Sequence, residues 1–267
     1  MYPRAWESDA GAIIFDLEDS VPDTHKAAAR DALMSMQRPA GWTREIFVRL
    51  NSFGTVNFDL DLRTVTSMEV SVTGVMLPKV ERGVQVVAVD GAIASCERYG
   101  HSLALILLIE TPGGVMRVAE LVDCGVKRVV AFAFGAEDYR AGMRVDALDP
   151  ALADFARATV SNAAAALGIP AIDAPLLQLH VPDLLRTAAL HARALGFQSK
   201  FAIHPSQVSV IHEAFADGLH GGIDRAWALR AMDAYERAGR DGQGSVALDG
   251  RMIDEATMKR VRDILKT

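Results

Sequence analysis

The sequence predicts an α/β fold of the TIM (β/α)8 type that lacks its first strand and carries a small C-terminal helical lid or oligomerisation segment. Short apolar runs alternate with helical stretches seven times in order. Such β-then-α repetition implies a parallel sheet with right-handed crossovers. Most runs are apolar on both faces, as in LALILLIE (Leu103–Glu110) and VVAFAF (Val129–Phe134), which suits strands buried on two sides. Seven units fall one short of a closed barrel. A doubly wound open sheet is the alternative.

In chain order the predicted strands are Ala12–Leu17, Ile46–Leu50, Gly74–Lys79, Leu103–Glu110, Val129–Phe134, Ala171–Ala174 and Lys200–Ile203. Helical periodicity lies between and after them, over Thr24–Met36, Asp59–Ser67, Gly83–Tyr99, Val115–Cys124, Ala151–Leu167, Asp183–Leu195 and Pro205–Ala216. The catalytic domain is placed at residues 1–217. A GlyLeuHisGlyGly break at Gly218–Gly222 opens a C-terminal segment, 218–267, with a helix over Asp224–Ala238 and a Gly-rich link at Arg240–Ser245. A VALDG strand or turn and a final helix, Asp254–Leu265, complete it. Asp254 is placed to cap that helix or to meet its positive end.

A length of 267 residues with 50% hydrophobic composition supports one large core. The formal charge of −6 argues against nucleic acid or an anionic membrane as the main partner. No apolar run reaches the roughly 20 residues that cross a bilayer. MYPRAWESD has no apolar signal-peptide core, so a cytoplasmic location is expected. Cys96 and Cys124 fall in helical patterns and are expected to be reduced. No Walker A, GxGxxG or HExxH sequence occurs.

What points to chemistry is the ends of the strands. IIFDLED, FVRLN, VMLPKVE, LLIET, FGAED and FAIHPSQ each finish an apolar run with polar groups. In a parallel barrel those ends converge on one mouth, where active sites sit. Glu110 and Asp138 each end an apolar strand; two such acids suit Mg2+, which takes hard oxygen ligands and leaves positions for substrate. Arg49 offers a planar fork for a carboxylate. A single acid of this kind would be read as a helix cap or a solvated side chain; the series makes the difference. Asp16 alternates with Glu18 on one strand face, with Leu17 and Asp19 on the other. Lys79 is free to meet a phosphate, a carboxylate or Glu81. His204 stands where the last strand hands over to a helix, with Pro205 at its first position. Lys200 reads as structural.

Taken together, IIFDLEDSVPDTHKAAAR, FVRLNS, VMLPKVE, LLIETPGGV, FGAEDY and KFAIHPSQ resemble the citrate lyase β-subunit-like enzymes of the HpcH/HpaI aldolase family, from about Ala12 to Leu265. The resemblance implies a TIM barrel, Mg2+ and reversible cleavage of a β-hydroxyacyl-CoA, such as malyl-, citramalyl- or citryl-CoA, into acetyl-CoA and a 2-oxo acid. It implies Glu110 and Asp138 as metal ligands, with Glu18 and Asp19 near the metal through water. Arg49 would bind the carboxylate and carbonyl oxygens of the substrate. Glu110 would also contact it; Lys79 and His204 are candidate substrate contacts from their places at strand ends, with a structural role as the alternative for His204. Asp254 of MID would reach a neighbouring subunit's pocket as acid/base, in a homo-oligomer expected to be a trimer. The alternatives are a CoA-independent 4-hydroxy-2-oxo-acid aldolase and a non-catalytic CoA- or metabolite-binding protein.

The chain departs from the pattern in two places. Relatives open with a further RSxLFVPG-like strand whose Arg helps hold substrate; here MYPRAWES leads to DLED by Asp16, and that role is not carried over to Arg4. A missing strand would leave unpaired edges on both neighbours. The loop LLQLHVPD (Leu176–Asp183) replaces an acidic, aromatic-containing one, so the acyl group is not transferable.

Overall fold

Seven parallel strands form one sheet in the order of the sequence: β1 (Ala12–Asp16), β2 (Glu45–Arg49), β3 (Gly74–Leu77), β4 (Ala104–Ile109), β5 (Val129–Phe134), β6 (Ala171–Asp173) and β7 (Ser199–Lys200). The computed structural model describes residues 2–68, 72–96, 102–147, 149–216 and 225–266. A doubly wound sheet reverses its strand order at a switch point. This one never does, so right-handed crossovers carry every connection to the same face and curl the sheet. Among the described residues β1 pairs with β2 alone and β7 with β6 alone.

Strand alternation gives the sheet two apolar faces. Phe47, Met76, Ile106, Leu108, Ala131 and Ala133 form one buried cluster, with Ala12, Ile14, Ile172 and Phe201 packed around it. Residues of the opposite parity, among them Phe15, Val48, Leu77, Leu107 and Phe132, are buried on the other face. Each such side chain contributes roughly 1.5–3 kcal/mol on burial. The apolar strand sequences are the imprint of both layers.

The helices of this unit are α1 (Tyr2–Trp6), α2 (Lys26–Met34), α3 (Val56–Ser67), α4 (Gly83–Cys96), α5 (Pro112–Met116), α6 (Val118–Asp123), α7 (Ala136–Met143), α8 (Pro150–Leu167), α9 (Pro182–Ala194) and α10 (Val208–Ala216). Thr55, Thr111 and Asp149 cap α3, α5 and α8 by accepting from Phe58 N, Gly114 N and Ala151 N. The opening stretch, left unassigned by periodicity, is α1. Trp6 meets Phe15 and Trp42 edge-to-face at 5.6 and 4.9 Å between centroids, and Arg44 stacks over Trp42 at 3.9 Å.

Three elements differ from expectation. The helix predicted over Val115–Cys124 divides at Arg117, whose guanidinium is drawn to Glu81. The helix α7 was missed because AEDYRAGM holds too few apolar residues to show a period. β7 stops at Lys200 instead of Ile203, because the Ile203 amide donates to Gln207 Oε1 at 2.9 Å and leaves the ladder.

Residues Glu213–Thr267 form a second compact unit. The predicted Gly218–Gly222 break lies outside the described residues. α11 (Arg225–Arg240) and α12 (Glu255–Lys266) pack with an antiparallel hairpin, β8 (Val246–Leu248) and β9 (Arg251–Ile253). Asp249 and Gly250, with φ of 50° and 74°, make its two-residue turn. Ala228, Ala231, Ile253, Met258, Val261 and Ile264 are its core, with Val246, Leu248 and Leu265 packed on them. The pattern of Val246, Leu248, Met252, Ile253 and Leu265 in the sequence suits a surface covered by a neighbouring chain, but of these five only Met252 stays largely exposed, at 69%.

Candidate active site

The register pairs Asp16, last in β1, with Arg49, last in β2. Arg49 donates Nε to Asp16 Oδ1 at 2.7 Å and Nη2 to Oδ2 at 2.6 Å, while Nη1 lies 3.4 Å from Glu18 Oε2. Asp16 also accepts from the amides of Glu18 and Ser20. Burial works against its charge, but Arg49 and these donors hold the Asp16 carboxyl at about 2. Burial likewise opposes the charge on Arg49, and Asp16 more than offsets it, raising its pKa. Arg49 is thus both an internal ion pair and a mouth-facing cation.

β1 ends at Asp16, so strict alternation no longer governs the residues after it. Lys79 Nζ reaches both Glu18 and Asp19, the latter at 3.1 Å. The sequence reading that set Asp19 on the face opposite Glu18 fails there for this reason. Burial raises the Glu18 carboxyl; it opposes the charge on Asp19, where the Lys79 ammonium prevails and lowers it. Of the partners open to Lys79, Glu81 is not the one taken. Glu81 instead binds Arg117 and Thr111.

Glu110 follows β4 and is only 2% exposed. Its Oε1 accepts the main-chain amide of Lys79 at 2.9 Å. Burial, followed by the negative charges of Asp138 and Glu18, pushes the Glu110 carboxyl up to about 8. Asp138 stands half-buried in the first turn of α7. Its charge is felt by both Glu110 and Lys79. The chain passes between β5 and α7 through Gly135, where a Cβ would lie 2.5 Å from Glu110 Cβ and 2.6 Å from its Oε2. Only glycine leaves that carboxylate its place.

A second tier of buried polar groups fixes the loop after β1. Lys26 Nζ donates to the carbonyls of Leu17 and Glu18 at 3.0 and 3.1 Å. Asn51 Nδ2 donates to Leu17 O, and fully buried Asp61 accepts from the Asn51 amide and from Arg30. The sequence reading passed over Lys26, Arg30, Asn51 and Asp61. The Lys-x-x-x-Arg spacing in HKAAAR was the available signal, since it puts both cations on one helical face.

Two expected site residues, His204 and Asp254, make local contacts of their own. His204 caps a short 3-10 turn: its Nδ1 accepts from Ser206 N at 3.2 Å, and its ring lies 5.9 Å from that of His180. The His204 ring nitrogen Nδ1 is taken up by Ser206, through both the amide and the hydroxyl. Asp254 belongs to the second unit, where its Oδ1 accepts from Thr257 N at 2.9 Å and caps α12. Lys200 is structural, as expected: it donates to Asp173 Oδ2 at 2.6 Å, and Arg157 binds the same carboxylate.

Five carboxylates (Asp16, Glu18, Asp19, Glu110 and Asp138) thus face two cations, Arg49 and Lys79. Among the described residues no three acids, His or Cys form a closed metal cage. An open site with one or two carboxylates is what Mg2+ accepts. The donor set therefore fits a hard divalent cation. Among the described residues no helix is long and apolar enough to cross a membrane.

The family model of HpcH/HpaI aldolase/citrate lyase matches residues 1–205. The chain is 34% identical over 264 residues to the citrate lyase subunit beta-like protein of Deinococcus radiodurans, covering 95% of this chain and 88% of that one. It is 27% identical over 289 residues to the L-malyl-CoA/beta-methylmalyl-CoA lyase of Cereibacter sphaeroides, covering 100% and 90%. The solved structure of CitE from Mycobacterium tuberculosis in complex with magnesium, acetoacetate and coenzyme A superposes with a TM-score of 0.74 at 30% identity, over 96% of this chain and 88% of that one. A curled parallel sheet, together with similarity to these lyases over nearly the whole chain, defines a carbon–carbon lyase. The chain belongs to the HpcH/HpaI aldolase/citrate lyase family.

Proposed function

We propose that this lyase is Mg2+-dependent and cleaves, or forms, a β-hydroxyacyl-CoA of the malyl-, citramalyl- or citryl-CoA kind, giving acetyl-CoA and a 2-oxo acid. The observation that carries the reading is Glu110, a buried carboxyl lifted to about 8 beside Asp138 and Glu18 in a site with more acids than bases. Such a group is costly to ionise unless a cation joins it. Glu110 and Asp138 would hold the metal, with Glu18 and Asp19 reached through water. When bound, the metal supplies Lewis-acid polarisation of the 2-oxo group.

The protein's own residues do the rest. Arg49 is oriented by Asp16 and presents Nη1 to the substrate's carboxylate. Lys79, pinned between Glu18 and Asp19, keeps those acids from repelling the anionic substrate. In cleavage the 3-hydroxyl loses its proton, the C2–C3 bond breaks, and its electron pair moves onto C2 and the thioester carbonyl. C2 then takes a proton. Asp254 is assigned that exchange, from a neighbouring subunit of a trimer. The Thr257 contacts that cap α12 lower its pKa, so it rests ionised: in cleavage it takes the proton of the 3-hydroxyl and passes it to C2, and in condensation it takes the C2 proton and returns it to the new hydroxyl. The fold is read as a (β/α)8-type barrel short of its first strand, with residues 218–267 as the subunit-contact segment of a cytoplasmic enzyme.

The test is acetyl-CoA release from malyl-CoA and citramalyl-CoA with and without Mg2+, beside pyruvate release from a 4-hydroxy-2-oxo acid. Mg2+-dependent release from a CoA thioester supports the reading. Cleavage of the free acid alone would make the protein a CoA-independent aldolase, and tight CoA binding without turnover would make it a binding protein.

A further inference from the structure

We infer that Glu81, which touches neither substrate nor metal in the account above, is a positioning residue that fixes the carboxylate of Glu110 through the backbone of Lys79. The inference deepens the proposed function and rests on it for its metal arm alone. Every polar atom of Glu81 is engaged. Its amide donates to Gln85 Oε1 at 2.9 Å, and its carbonyl accepts Arg117 Nε at 3.3 Å. Oε1 accepts the Thr111 hydroxyl at 2.8 Å, and Oε2 accepts Arg117 Nη2 at 2.6 Å.

These contacts tie two loops together. Thr111 directly follows Glu110 and caps α5 by accepting from Gly114 N at 3.0 Å, so its single proton is committed to Glu81. A Cβ on Gly113 would lie 2.6 Å from Arg117 Nη2 and 2.8 Å from the Glu81 carboxyl carbon, so the Thr-Pro-Gly-Gly turn closes directly over the ion pair. Two residues before Glu81, Lys79 sits at φ 55°, a left-handed conformation that a lysine holds only when its surroundings impose it. That conformation aims its amide at Glu110 Oε1, 2.9 Å away. On the opposite side the backbone of Gly135, which carries no Cβ, packs directly against the Glu110 side chain. Glu81 is thus the anchor of a clamp whose jaws are the Lys79 amide and Gly135.

The experiment measures amide hydrogen exchange at Lys79 in the metal-free full-length protein, for the native chain, Glu81→Gln and Glu81→Ala. Glu81→Gln keeps an acceptor for Thr111 and loses the charge pair; Glu81→Ala loses both. Exchange is expected to accelerate about five- to tenfold in Glu81→Ala and less in Glu81→Gln, since the hydrogen bond from the Lys79 amide to Glu110 is released. In parallel, Mn2+ alone is titrated by electron paramagnetic resonance, and affinity is expected to fall about 10- to 100-fold, as when the groups that orient metal ligands are removed. Lys79 exchange unchanged in both variants overturns the inference. If the native chain binds no Mn2+, the metal reading falls, while the exchange measurement still decides the role of Glu81. If Glu81→Ala fails to fold, Glu81→Gln alone decides it, by the same exchange.

Discussion

Asp16 grips the fork of Arg49 with both oxygens, at 2.7 and 2.6 Å, across adjacent parallel strands. The only guanidinium nitrogen left by this grip is Nη1, 3.4 Å from Glu18. Arg49→Lys should therefore lower kcat/KM nearly as far as Arg49→Ala, about 10- to 100-fold, because an ammonium cannot serve both partners. Steady-state kinetics on both variants check this. A lysine variant with native kcat/KM would show that the fork is dispensable.

The same pair sets an acid limit on stability. The folded Asp16 carboxyl lies at about 2, below its ordinary 3.8. Its contribution, about 2 kcal/mol, is fully present above the ordinary value and is lost as pH falls from there through 2. Asp16→Asn should flatten that part of the acid-unfolding curve, read by denaturant titrations at pH 2 to 5.

Glu110 has the opposite sign. Its folded pKa of about 8 exceeds the ordinary 4.5, so the folded state favours the protonated acid and loses stability as pH rises from 4.5 through 8. In metal-free protein the loss is roughly 5 kcal/mol at most. Glu110→Gln should remove that slope and melt above the native chain at pH 8. Mg2+ uptake at pH 7 should release close to one proton per ion in the native chain. Calorimetry in buffers of different ionisation enthalpy measures it.

Gly135→Ala places a methyl group against Glu110 Cβ and Oε2. The variant should lose about 1–3 kcal/mol of stability to overpacking. Metal affinity should fall with it, because the carboxylate is forced from its place. Thermal melting and Mn2+ titration on one preparation read both effects.

Asp254 holds two roles that one substitution separates. Asparagine caps a helix about as well as aspartate, so Asp254→Asn should melt within about 0.5 kcal/mol of the native chain. Turnover should nonetheless collapse if Asp254 exchanges the C2 proton. Native turnover in this variant would return Asp254 to a capping role alone.

Much of this was legible in the sequence. The seven strands, their buried faces and the polar groups at their ends follow from period-2 and apolar-run reading, because each is a local property. The partner choices were not legible. Lys79 takes Glu18 and Asp19 instead of Glu81, because the chain turns after Asp16 and brings Asp19 back to the mouth. Glu81 reads as an ordinary loop acid until the fold brings Thr111 and Arg117 to it. The tail misled in a different way. Its apolar residues carry the pattern of a surface seeking cover, and α11 and α12 supply that cover within the same unit. Support for a trimer is therefore resemblance, not unburied area.

The most direct test of the central claim follows acetyl-CoA release by the native chain and Glu110→Gln, first in chelator and then with Mg2+ restored. No release is expected in chelator, with recovery on Mg2+ in the native chain and none in Glu110→Gln. Undiminished release in chelator, or full Mg2+-dependent release by Glu110→Gln, would contradict that claim.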